Sequence, residues 1–153
     1  MSDCAARIVP AAPEHLADWG AMRFALWPWD TPALHAQQAA RQYLSGDPDR
    51  TAFIATDRNG AVIGFAEGTL RRDYVEGCET SPVGFLEGIF VTDTARDRGT
   101  GRALANAVGD WVQSRGCSEY ASNALLENAA SHAFHAAIGF AETERVVYFR
   151  KSL

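Results

Sequence analysis

Hydrophobic positions along this chain follow two periods, and the changes from one to the other mark out its elements. Ala6 to Pro10 reads as a short first strand. Leu16, Trp19, Met22, Arg23 and Leu26 then share one stripe at three- and four-residue spacing. That pattern predicts a helix with Pro13 in its first turn and Pro28 as its stop. A second helix is expected from about Leu34 to Leu44, broken by Gly46-Asp47-Pro48. Thr51–Thr56 and Val62–Arg71 read as two strands, and Asn59-Gly60 between them is a hairpin signal because both residues tolerate positive φ. Asp73 to Pro82 reads as a loop and Val83 to Val91 as a further strand. Leu104, Val108, Trp111 and Val112 return to helical spacing, and Gly116 suits the end of that helix. Tyr120 to Asn123 is a short strand. Asn128 to Ile138 is a helix ended by Gly139, and Glu142 to Arg150 is extended chain centred on Val146-Val147-Tyr148-Phe149.

The expected order is β-α-α-β-β-β-α-β-α-β. Early hairpins followed by a β-α-β crossover imply an α/β domain, with a mixed, mostly antiparallel twisted sheet and helices on both faces. At 153 residues, 1–153 reads as a single domain with no repeat or linker. The apolar fraction of 47% and charged fraction of 22% are those of a globular protein. A net charge of −5 argues against nucleic acid as partner and suits a cationic ligand. No apolar run approaches the roughly 20 residues of a membrane span. Met1–Arg7 lacks the layout of a signal peptide, so the cytoplasm is the expected compartment. Cys4, Cys78 and Cys117 are odd in number and scattered, which fits free thiols.

The densest chemistry lies between the 83–91 strand and the helix after it, in Arg96-Asp97-Arg98-Gly99-Thr100-Gly101. A helix start exposes unpaired N–H groups and the positive end of the dipole, which suits a phosphate. Arg96, Arg98 and Arg102 add positive charge. The turn is not a P-loop, because no Gly-Lys-Ser/Thr follows. It is a poor dinucleotide fingerprint, because Leu104 stands where a third small residue is needed. An ordinary strand-to-helix turn with surface arginines fits as well as a pyrophosphate site. Arg96, Gly99 and Gly101 match in register the Arg/Gln-x-x-Gly-x-Gly/Ala pattern of the acetyl-CoA-dependent N-acetyltransferases.

The element order resembles that of the GCN5-related N-acetyltransferase superfamily, and the resemblance goes closer. Leu26-Trp27-Pro28, Arg72-Asp73-Tyr74-Val75, Glu79-Thr80-Ser81-Pro82-Val83, Phe85–Val91 and Glu142-Thr143-Glu144-Arg145-Val146 are similar to the aminoglycoside 6′-N-acetyltransferases, best to their short homodimeric branch. The likeness spans essentially the whole chain. It implies acetyl-CoA as cosubstrate, an aminoglycoside or other polycationic amine as acceptor, antibiotic resistance, a homodimer and no metal. It implies main-chain contacts from Ile89, Phe90 and Val91 to the pantetheine arm, a pyrophosphate turn from Arg98 through Gly99, Thr100 and Gly101 to Arg102, and a pantetheine contact at Asn128. The superfamily often has a tyrosine four residues before the Gly-Phe that ends the late helix, to protonate the departing thiolate. Here that position is His135, which can do the same work near neutral pH or be a half-buried surface histidine. His132 and His135 share a helix face, but no motif supplies a third metal ligand.

Glu87 is a carboxylate inside an apolar strand, and regular alternation places it on the face of Phe85, Ile89 and Val91. Burial without a partner is costly, so a structural arginine or a cationic substrate is expected beside it. The family uses this position at the acceptor site, which implies that Glu87 binds the reacting ammonium and helps remove its proton. Asp73, Glu76, Glu79 and Glu87 fall in a stretch without Lys or Arg, either a solvated acidic loop or a funnel for a polycation. Trp27 and Tyr74 are candidate sugar-stacking rings, and Glu79 and Glu144 candidate acceptor contacts, Glu144 across a dimer interface. Asn123 stands where the relatives carry aspartate, which weakens a second contact to a substrate ammonium. No Gly-x-Ser-x-Gly or evident Cys–His arrangement marks a nucleophile, so direct attack in a ternary complex is expected. Two rivals remain: an acetyltransferase for another amine, such as a polyamine, small metabolite or protein amine, and an acyl-CoA-binding module without catalysis.

Overall fold

A computed structural model describes residues 5–153. Cys4 and the segment read for a signal peptide begin outside the described residues. The elements are β1 (Arg7–Pro10), α1 (Leu16–Leu26), α2 (Pro32–Tyr43), β2 (Arg50–Thr56), β3 (Val62–Arg71), β4 (Val83–Val91), α3 (Thr100–Ser114), β5 (Tyr120–Ser122) and α4 (Ala129–Ala137). The strands lie in the order β1-β2-β3-β4-β5. The first three pairings are antiparallel and β4–β5 is parallel, with α3 as the crossover that a parallel pair requires.

Each face of the sheet has its own cluster. Ala55, Ala66 and Leu86 pack against Leu104, Ala105, Val108 and Val112 of α3. Ala52, Ile54 and Phe65 pack against Trp19 and Met22 of α1 and Ala39 of α2. Because both faces are covered, β2 and β3 read as nearly continuous apolar runs rather than clean alternations. The β2–β3 turn forms as expected: the Asp57 carboxylate accepts from the N–H groups of Asn59 and Ala61, and Gly60 takes φ +84°. Helix α2 begins two residues before the expected Leu34, because the Thr31 hydroxyl caps it by accepting from Leu34 N–H and Pro32 fills its first turn.

The expected last strand is not part of the sheet. Residues 141–153 carry no strand pairing and are exposed throughout, with Tyr148 at 87% and Phe149 at 93% exposure. Apolar alternation made this segment look like a strand, but a strand needs a neighbour, and the described residues supply none.

Candidate active site

The site begins with one irregularity in β4. Glu67 pairs with Gly88 and Gly68 with Leu86, so Glu87 is an extra residue between them, a β-bulge. Leu86 faces α3, yet Glu87 and Gly88 both face the α1 side. A Cβ on Gly88 would lie 2.5 Å from the Trp27 ring. After the bulge, Ile89 and Val91 pack on the α3 side. The expected alternation is thereby corrected: Glu87 shares a face with Phe85 but not with Ile89 or Val91. β5 pairs with β4 only through Gly84, Phe85 and Leu86. Residues Glu87–Val91 then have β3 as their one strand neighbour, which opens a fork between β4 and the end of β5.

Glu87 meets an arginine of the neighbouring strand, Arg71. Its Oε1 accepts from the Thr69 hydroxyl (2.6 Å) and Arg71 Nε (2.9 Å), and its Oε2 from Arg71 Nη2 (2.8 Å). The Arg71 guanidinium also stacks on Phe85, 3.5 Å from the ring centroid. These groups lie in a cleft of about 680 Å³ between α1, α2 and the C-terminal end of β3. At its base Glu67 is 1% exposed and accepts from Trp19 Nε1 (2.9 Å) and from Arg23. Burial pushes the Glu67 carboxyl up, opposed by the charge and hydrogen bond of Arg23. Tyr43, also in the cleft, is pushed up first by burial and then by the Glu67 and Glu87 charges. Trp27 forms part of the wall, with the Arg23 guanidinium 5.1 Å from its ring centroid and His35 stacked at 6.4 Å. His35 is buried, and its Nε2 lies 3.0 Å from the Trp27 carbonyl and 2.8 Å from that of Trp29. The ring therefore donates from Nε2 and fastens the segment after α1 to α2.

Tyr74 lines the same cleft with 76% of its surface exposed. Glu79, Asn123 and Glu144 are exposed and lie outside the cleft lining. Thr143 packs on Gly77, which sets the C-terminal arm and Glu144 beside the 73–82 loop. The cleft is less acidic than the sequence suggested. Its lining holds five carboxylates (Asp47, Asp49, Glu67, Asp73, Glu87) and four arginines (Arg23, Arg50, Arg71, Arg72), a balance of −1.

At the other end of β4, Gly99 takes φ +80° as the residue before α3, and no side chain caps the helix. The first-turn N–H groups of Thr100, Gly101 and Arg102 are left for a ligand. Gly101 also lies against α4: a Cβ there would lie 3.0 Å from the Phe134 ring. The three arginines divide. Arg96 pairs with Asp93 and donates to the Val91 carbonyl, Arg102 donates to the Ala137 carbonyl at the end of α4, and Arg98 is exposed. Asn128 caps α4, accepting from Ser131 N–H.

His135 lies at the fork. Its Nδ1 is 2.7 Å from the Ser131 carbonyl, which can only accept a hydrogen bond, and its Nε2 is 2.8 Å from the Ser122 hydroxyl at the end of β5. Nδ1 therefore donates and Nε2 accepts from Ser122. His132 bonds the Leu125 carbonyl, and the described residues hold no cluster of three metal-ligating side chains. Sequence reasoning passed over Glu67, Thr69 and Arg71, which alternate with Gly68 and Leu70 along β3. Three polar side chains at period two inside a buried strand were the available signal.

With this geometry in view, the comparisons are specific. The profile of the acetyltransferase (GNAT) family matches residues 14–140, and the chain belongs to that family. An aminoglycoside N(6′)-acetyltransferase type 1 of Serratia marcescens is 47% identical, over 92% of this chain and 94% of its own length. The crystal structure of the aminoglycoside antibiotic 6′-N-acetyltransferase AAC(6′)-Ih from Acinetobacter baumannii superposes with a TM-score of 0.89 at 41% identity, covering 97% of this chain and 99% of that one. AAC(6′)-Iy, in complex with the bisubstrate analog CoA-S-monomethyl-acetylneamine, superposes with a TM-score of 0.87 at 40% identity, covering 97% and 99%.

Proposed function

We propose that this protein transfers the acetyl group of acetyl-CoA to the 6′-amine of aminoglycoside antibiotics, and so confers resistance to them. The observation that carries the reading is Glu87, set by the β4 bulge where the acceptor cleft meets the strand fork. The relatives at 40–47% identity over most of the chain support the same substrate class.

In this reading the fork receives the pantetheine arm against the main chain of Ile89, Phe90 and Val91. The turn from Arg98 to Arg102 holds the pyrophosphate, with Arg96 bracing the turn through Asp93 and the Val91 carbonyl. Asn128 acts there through the helix start it caps. Trp27 and Tyr74 receive the sugar face, and Glu79, Asn123 and Glu144 lie along its approach. Glu87 binds the acceptor ammonium and takes its proton through a water. The amine lone pair then attacks the thioester carbon, an N–C bond forms, the C–S bond breaks, and the thiolate takes a proton to leave as coenzyme A. His135, once protonated on both ring nitrogens, gives the Nε2 proton to the Ser122 hydroxyl, which passes its own proton to the thiolate.

The protein acts in the cytoplasm, where acetyl-CoA is made, as a homodimer. The exposed arm with Val146, Val147, Tyr148 and Phe149 has the pattern of a strand, and β5 has one strand neighbour. A second copy supplies what each lacks.

The experiment is thiol release from acetyl-CoA with kanamycin, tobramycin and sisomicin, against 6′-hydroxyl counterparts and spermine. Turnover confined to acceptors with a 6′-amine is expected. Turnover with spermine alone would move the chain to another amine. Glu87→Gln should lower kcat/KM at least about tenfold while the protein still folds; near-wild-type turnover would remove Glu87 from the acceptor site.

A further inference from the structure

The cleft is built of cancelled charges. Arg23 of α1 pairs with Glu67 of β3, Arg50 of β2 with Asp47, Arg72 with Asp49, and Arg71 with Glu87 of β4. Asp73, Tyr43 of α2 and Tyr74 complete the titratable lining. Glu67 and Arg23 are buried and committed to each other. The Arg50 and Arg72 pairs lie toward the rim with more of their surface in water. The Arg71–Glu87 pair alone stands at the acceptor carboxylate itself.

That pairing sits awkwardly with a simple anchor for an ammonium group. A carboxylate has about four lone-pair positions. Thr69 and Arg71 together fill three of them on Glu87, two on Oε1 and one on Oε2. One position on Oε2 is left, enough to accept a single N–H from an incoming amine. Any amine placed there is also next to the Arg71 guanidinium. A neighbouring positive charge disfavours the charged form of an amine, and an unprotonated amine is the nucleophile this reaction requires. A bare Glu87 would do the opposite: it would hold the ammonium tightly and keep it protonated.

We propose that Arg71 is a functional residue of the acceptor site, which neutralises Glu87 and by its own charge drives the bound acceptor amine to its uncharged, reactive form. The assignment rests on the reading of Glu87 as the acceptor carboxylate. The side chain is held on both sides, by Glu87 and by the face of Phe85, so its charge stays in place while substrate enters.

The test is the pH dependence of single-turnover acetyl transfer to saturating kanamycin by protein preloaded with acetyl-CoA. Arg71→Met should move the rising limb, which reports ionisation of the bound amine, up by about one pH unit. Transfer below the limb should slow about tenfold while kanamycin binds more tightly. Arg71→Lys keeps the charge and loses the two-pronged contact, so its limb should stay near that of the wild type; it also carries the test if Arg71→Met does not fold. A limb in Arg71→Met that coincides with the wild type would overturn the proposal, as would an equal displacement in Arg71→Lys. Weaker kanamycin binding with an unmoved limb would make Arg71 a merely structural partner of Glu87. Glu87→Gln separates the two levels: near-wild-type transfer in it defeats the acceptor reading, whereas an impaired Glu87→Gln beside an unmoved Arg71→Met limb defeats the role of Arg71 alone.

Discussion

Adding one methyl group at Gly88 should damage acceptor binding through Trp27 and spare the acetyl-CoA site. A Cβ at residue 88 would lie 2.5 Å from the Trp27 Cη2 atom and 2.8 Å from Cζ2. Ordinary carbon–carbon contact is about 3.5–4.0 Å, so the indole must move by about 1 Å. It has little room, because the Arg23 guanidinium, the His35 ring and Phe65 bound it on its other sides. Overpacking of this kind costs about 1–3 kcal/mol. For a chain of this size that corresponds to a fall in Tm of roughly 2–12 °C. Thermal melting of Gly88→Ala, with KM measured separately for kanamycin and acetyl-CoA, checks the reasoning. The Tm should fall, the kanamycin KM should rise severalfold, and the acetyl-CoA KM should hold. In a Trp27→Leu background the same substitution should cost markedly less, because the clashing ring is gone. Full wild-type stability in Gly88→Ala, or an equal loss in both backgrounds, would refute the idea that Gly88 exists to admit Trp27.

Other consequences are open to direct measurement. Replacing His135 by Leu should lower kcat severalfold at unchanged acetyl-CoA KM; unchanged kcat would assign His135 to packing with Phe134 and Phe140. On the proposed dimer, the full chain should sediment as a dimer and a chain ended after Phe140 as a monomer; a full chain that sediments as a monomer would refute the dimer, and a dimer without the arm would place the interface elsewhere. Glu119 is held below the usual carboxylate range, first by the Thr80 hydroxyl and then by the Glu79 and Thr80 N–H groups. A depressed folded-state value means stabilisation that is present above the unfolded value and lost as pH falls through the folded one. Glu119→Gln should therefore melt below the wild type at pH 7, and the two curves should converge in acid; a gap that persists below about pH 3 would contradict this.

Much of the fold was legible because its elements carry strong local signals. Pro28, Asn59-Gly60, Gly116 and Gly139 are punctuation that depends on neighbours a few residues away. The crossover through α3 followed from element order. What the sequence concealed depends on non-local pairing. The bulge at Glu87 is defined only by β3, and no periodicity within Phe85–Val91 announces it. The partner of Glu87 comes from a strand sixteen residues earlier, and the fixed role of Arg102 comes from the end of α4. The 73–87 stretch could be read as a funnel because the arginines that line the cleft, Arg23, Arg50, Arg71 and Arg72, all precede it in the chain.

The extra residue in β4 also sets a rule of parity. Side chains before it and after it are out of step by one, so the half of the strand that meets β5 and the half that borders the fork obey opposite counts. Deleting one residue between Leu86 and Ile89 would restore step along the whole strand. It would turn either Glu87 out of its cleft or the Ile89–Val91 stretch over onto the wrong layer. Length in this short stretch is thus under tighter constraint than composition, and a substitution there is survivable in a way that an insertion or a deletion is not.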